Sequence, residues 1–72
     1  MVNCGDLVRA DGRIIVYVNL AEQHEDDEFL RGGELMIVTS KVKILPNGEI
    51  YARVITRRSV GWACARFLLA LS

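Results

Sequence analysis

The chain has 72 residues and a mass of 8.1 kDa, a size that supports one hydrophobic core and excludes a second domain. Apolar residues make up 51% and charged residues 25%, too apolar a mixture for intrinsic disorder; the longest apolar run, Phe67 to Leu71, is far short of the roughly 20 residues that cross a bilayer. Nine basic residues against nine acidic leave no net charge, which removes the strongly basic footprint of a dedicated nucleic-acid binder.

Taken in chain order, Gly5 to Ala10 alternates and then meets Asp11-Gly12, a dipeptide that tolerates positive φ and predicts a hairpin turn. Arg13 to Leu20 is rich in β-branched and aromatic residues and predicts a strand. Ala21 to Glu28 is polar and mostly acidic, the composition of a solvated loop, and Arg31-Gly32-Gly33 suits a turn. Glu34 to Leu45 predicts a long strand bent near Thr39-Ser40, and Pro46-Asn47-Gly48 carries the chemistry of a β-turn. Glu49 to Thr56 alternates, with Ile50, Ala52 and Val54 on one face and Tyr51, Arg53 and Ile55 on the other. Val60 to Ala63 predicts a brief strand. For residues 63 to 71 a terminal helix competes with a helical turn followed by an edge strand.

Short strands separated by turn residues predict an all-β fold: a small antiparallel barrel of five to six strands, with a short helical turn near the C-terminus. Its expected core is Leu7, Ile14, Val16, Val18, Leu35, Ile37, Val42, Ile50, Ala52, Val54, Ala63 and Leu68.

The order of features from Val16 onward resembles the Src homology 3 (SH3) family. There, a strand opening A-L-Y-D-Y leads into an acidic loop, an E-L-S-F segment, a turn ending G-D and finally G-W-F-P-S-N-Y-V. The matching stretches are Val16 to Leu20, Glu22 to Asp27, Glu28 to Glu34, and Gly61-Trp62 through Phe67-Leu68. The resemblance implies an SH3-like barrel over residues 1 to 72, with an acidic loop placed to meet a ligand arginine. The family's groove for proline-rich peptides is aromatic, and most of that surface is replaced: Val18 and Leu20 stand for its tyrosines, Glu49 for its tryptophan and Cys64 for its proline, leaving Phe67 as the one aromatic substitute. The Gly5-Asp6-Leu7-Val8 opening also resembles KOW-type and small bacterial or phage modules.

The charges are unevenly spread. Residues 1 to 36 hold three arginines against eight carboxylates, a net of −5, and residues 37 to 72 hold six basic residues against Glu49 alone, a net of +5. Tyr51, Arg53, Arg57, Arg58, Trp62 and Arg66 combine guanidinium groups with aromatic rings, a pairing that suits a carboxylate or phosphate partner. They are the candidate binding residues, although Trp62 fits the core as well. Met36 and Tyr17 are assigned to packing. Glu25, Asp26, Asp27 and Glu28 form the acidic loop, whose spacing around His24 lacks the alternation and glycine of a calcium loop. Ser40, Ser59 and Cys64 have no base assigned beside them, so no catalytic site, metal or cofactor is expected. Cys4 and Cys64 read as free thiols in a reducing, cytoplasmic setting, in the absence of a secretory leader pattern.

The expected function is a small non-enzymatic protein-protein interaction module, compact enough to suit a phage or bacterial regulator. The alternative is a nucleic-acid-binding barrel using the basic half. A monomer or weak head-to-tail homo-oligomer is expected, with no membrane partner.

Overall fold

The computed structural model describes residues 4 to 71. The elements are β1 (Leu7–Ala10), β2 (Ile14–Val16), β3 (Glu28–Leu30), β4 (Leu35–Ile44), β5 (Ile50–Ile55), β6 (Val60–Cys64), a 3₁₀ turn η1 (Ala65–Phe67) and β7 (Leu68–Ala70). The domain is therefore all-β, and the C-terminal ambiguity resolves as a helical turn followed by an edge strand. The strand beyond the expected five or six is β3, which the sequence hides at the end of the acidic run.

Five strands form one antiparallel sheet in the order β6-β5-β4-β1-β7, and β2 pairs with β3 in a second. A single bridge joins the sheets: Tyr17 and Trp62 exchange both backbone hydrogen bonds at 2.8 Å. β3 and β7 remain free edges among the described residues, so the sheets do not close into a barrel. Asp11-Gly12 is a corner and not the expected hairpin, because both sides of β1 are already taken by β4 and β7. Gly12 turns that corner at φ 78°, and the Asp11 amide donates to the Phe67 carbonyl at 2.9 Å.

β4 shifts register between Val38 and Val42, which places the expected bend. The following turn forms as predicted: Gly48 adopts φ 87°, its amide donates to the Leu45 carbonyl at 2.9 Å, and Asn47 Oδ1 accepts from the Glu49 amide at 2.9 Å.

The core is Val8, Ala10, Ile14, Val16, Leu30, Met36, Val38, Ala52, Val54, Ala63 and Leu68. Of the expected core, Leu7, Val18, Leu35, Ile37, Val42 and Ile50 are instead 40% to 56% exposed. The parity of β1 and β4 is inverted from expectation because Leu7-Val8 and Leu35-Met36-Ile37-Val38 are apolar at both parities, so alternation cannot choose a face. Gly61 lies on the buried side of β6, where an added Cβ would sit 2.5 Å from Val16 Cγ1; this glycine lets β2 lie against β6. Among the described residues no helix is long and apolar enough to cross a membrane.

Candidate functional site

A groove of about 610 Å³ lies between the acidic loop and the β4–β5 turn. Its apolar surface is Ile15, Tyr17, Leu20, Phe29, Leu45 and Tyr51, and Glu22, His24, Glu25 and Asp27 stand along its loop side. Tyr17 and Tyr51 meet edge to face, with ring centroids 6.2 Å apart and planes at 67°, the favoured geometry for aromatic pairs. A smaller depression of about 240 Å³ continues past these two rings to Arg13, Cys64 and Phe67. β5 buries Ala52 and Val54 in the core, so the strand's alternation turns Tyr51 outward toward this groove. Burial raises the Tyr51 phenol above its ordinary pKa, with the nearby Cys64 and Glu49 adding to the shift.

The loop wall is ordered by Asp27. Its Oδ1 accepts from the Val18 amide at 2.9 Å and its Oδ2 from the His24 amide at 3.0 Å. These two bonds hold the carboxyl below the usual aspartate range, because they favour the charged form. Since the folded-state pKa is depressed, the contribution of this carboxylate to loop order is present above the ordinary value of about 3.9 and is lost as pH falls through the lower, folded value. In an acid titration followed by amide NMR, the Val18 and His24 resonances should move together with a midpoint below about 3.9. Asp27→Asn should abolish that shared transition; its persistence in the variant would remove Asp27 as the cause.

The residues singled out from the sequence divide into three groups. Tyr51, Arg53 and Trp62 share one face of the β5–β6 hairpin, through the cross-strand pairs Tyr51/Cys64 and Arg53/Trp62. Trp62 is only 7% exposed, on the sheet face opposite the core, with the Lys43 ammonium 4.9 Å and the Arg53 guanidinium 5.1 Å from its ring centre. Arg57 and Arg58 lie in the turn at the other end of the hairpin, beyond Ile55, which is itself four residue steps or about 13 Å along the strand from Tyr51. Arg66 pairs with Glu49 at 3.5 Å and stacks on Phe67 at 5.0 Å. The arginines thus do not converge on a single patch.

The acidic loop divides as well. Glu25 and Asp26 are exposed, and Asp26 approaches His24 at 3.8 Å. Glu28 is instead structural. Its Oε1 accepts from Thr56 Oγ1 at 2.7 Å and Ser59 Oγ at 2.9 Å, and its Oε2 from Arg58 Nε at 3.1 Å. Thr56, a buried polar residue, also accepts from the Arg58 and Ser59 amides at 3.2 and 3.0 Å.

Cys4 and Cys64 are free. Burial pushes the Cys64 thiol up, away from the thiolate form that gives cysteine its reactivity, and its Sγ donates to Glu49 Oε2 at 3.6 Å. No cluster of three metal-ligating side chains occurs among the described residues.

Sequence reasoning missed Tyr17, Phe29 and Leu45 as groove residues, because Tyr17 read as packing and the other two sit in segments whose neighbours in space are remote in sequence. Comparison with known families, with characterised proteins and with solved structures finds no match.

Proposed function

We propose that this protein is a non-enzymatic interaction module that holds an extended, basic segment of another protein in the groove between the acidic loop and the β4–β5 turn. One observation carries the reading: the Tyr17–Tyr51 ring pair lies in a concavity whose loop side carries Glu22, Glu25 and Asp27. Rings give an extended chain flat apolar surface, and the carboxylates select a cationic side chain beside it. This arrangement resembles the ligand side of an SH3-like domain, with Tyr17, Tyr51 and Phe67 standing in for aromatics absent at the family's usual positions. The free thiols suit a reducing, cytoplasmic setting, and the occupied Ser59 and the raised Cys64 offer no activated nucleophile.

The test is an array of extended decapeptides with and without arginine, followed by NMR titration of the best binder. Arginine-bearing peptides should shift Tyr17, Glu25 and Tyr51. Tyr51→Ala should weaken affinity about tenfold, equivalent to about 1.4 kcal/mol, whereas Arg57→Ala should leave it unchanged. Binding that survives Tyr51→Ala and fails in Arg57→Ala overturns the groove reading and returns the site to the basic turn.

The second reading is nucleic-acid binding, favoured by Lys43 and Arg53 stacked over Trp62. Against it, Trp62 is nearly buried beside those cations, and the accessible rings stand next to carboxylates that repel phosphate. A mixed-sequence oligonucleotide that shifts Arg53 and Trp62 with a steep salt dependence would put this reading first.

A further inference from the structure

The five-stranded sheet buries one face; on the other, Trp62 is covered at one end and the opposite end stands open among the described residues. On that open face Leu7, Ile37, Ile55 and Val60 lie directly opposite one another across β1, β4, β5 and β6. They are 44% to 46% exposed, and neighbouring Leu35 is 47% exposed. These side chains leave on the order of 400 Å² of aliphatic surface in water, the size of patch that marks interaction sites. The chain exposes 5033 Å² in all, against about 4,500 Å² expected of a compact monomer of this mass.

The strand positions of this face carry charge of one sign. Its strand positions include Arg9, Lys43 and Arg53, and the cross-strand registers place no carboxylate among them. Glu49, just before β5, is engaged by Arg66 and Cys64. Packing this face against itself about a two-fold axis would set cations against cations, which opposes a symmetric dimer. An occupant therefore needs carboxylates with some aliphatic surface.

The chain carries such a segment. The acidic loop exposes Glu22, Glu25 and Asp26 beside Val18, itself 41% exposed, and within one copy no described residue engages Glu22 or Glu25 with an ion pair. We infer that the open face of the five-stranded sheet receives the acidic loop of a second copy of this chain. Face and loop are different surfaces, so the contact is heterologous: each copy donates a loop and accepts one, and assembly continues head to tail. This inference does not depend on what the groove binds.

Sedimentation of the unliganded protein at about 1 mM tests it. At low salt the average mass should rise above 8.1 kDa with concentration, and the association constant should fall at least tenfold at about 1 M salt, where screening acts over ~3 Å. Two variants separate the surfaces, each first checked for an intact β-type amide spectrum: Glu22→Gln with Glu25→Gln in the loop, which removes its charge without reversing it, and Arg9→Glu with Ile37→Glu on the face. Either pair alone should give a monomer. Mixed together they should form a dimer that grows no further, since one intact loop then meets one intact face. A loop variant that associates as strongly as the unmodified chain overturns the inference in favour of face-to-face pairing. A chain that stays monomeric at low salt overturns it outright.

Discussion

Gly61→Ala is expected to destabilise the domain by about 3 to 5 kcal/mol. An ideal Cβ at this position lies 2.5 Å from Val16 Cγ1 and 2.7 Å from the Tyr17 carbonyl oxygen. The second contact is with backbone and cannot be relieved by turning a side chain. Room comes only by moving β2 off β6, which lengthens the two 2.8 Å hydrogen bonds between Tyr17 and Trp62. Overpacking of this kind costs about 1 to 3 kcal/mol, and each weakened hydrogen bond adds about 1 kcal/mol. A domain of this length holds only about 4 to 11 kcal/mol in total. Urea unfolding measures the loss, and the Tyr17 and Trp62 amides should show the largest shifts in a variant that remains folded. A change under about 1 kcal/mol would mean that the two sheets are not seated through this glycine.

Glu28→Ala is expected to cost about 2 kcal/mol. The carboxylate gathers Thr56, Ser59 and Arg58 and so ties β3 to the β5–β6 turn. The loss does not come chiefly from Arg58, whose side chain is 72% exposed while that of Glu28 is 11% exposed; such a pair contributes about 0 to 1 kcal/mol. It comes from the buried Thr56 hydroxyl and that of Ser59, which lose their shared acceptor: Thr56 Oγ1 still accepts from the Arg58 and Ser59 amides, but its proton is left with the longer contacts to the Ser59 carbonyl at 3.2 Å and Ser59 Oγ at 3.4 Å, and a poorly satisfied buried donor costs about 1 to 3 kcal/mol. Thr56→Val should therefore resemble Glu28→Ala, and the double variant should cost clearly less than the two together. Arg58→Ala should change stability by less than about 0.5 kcal/mol. An Arg58→Ala loss as large as that of Glu28→Ala would shift the account to the ion pair.

The turn after β4 and strand β5 were readable because their chemistry is local, whereas Asp11-Gly12 turns a corner instead of a hairpin because the partners of β1 come from remote strands. Pro46-Asn47-Gly48 forms a turn in almost any context, and Ala52 and Val54 alternate against polar or half-polar neighbours. β4 was readable as a strand but not in its facing, since Leu35 to Val38 offers apolar side chains to both sides. Glu28 read as one more carboxylate in a charged loop, and only folding brings it to Thr56 and Ser59, 28 and 31 positions away. The binding constellation was legible in part. Tyr51, Arg53 and Trp62 share a hairpin face, and Arg57 and Arg58 lie in the turn at its far end, but residue types alone do not reveal that Arg58 is taken up by Glu28. Nor do they show that Trp62 faces away from the core yet is nearly buried. The groove was the least legible feature, as its walls come from a loop, a turn and three strands of two sheets.

The Tyr17–Trp62 bridge gives this groove a mechanical character. Tyr17 and Phe29 belong to the small sheet and its junction, while Leu45 and Tyr51 belong to the large one, so any occupant must span the joint. Swinging the small sheet outward would break both bridge bonds and pull the two tyrosine rings apart in the same motion. A ligand that holds the rings together therefore acts as a brace. By reciprocity, the factor by which closing the joint raises affinity for the ligand equals the factor by which the ligand lowers the equilibrium constant for opening, a link readable in the exchange of just two amide protons, those of Tyr17 and Trp62.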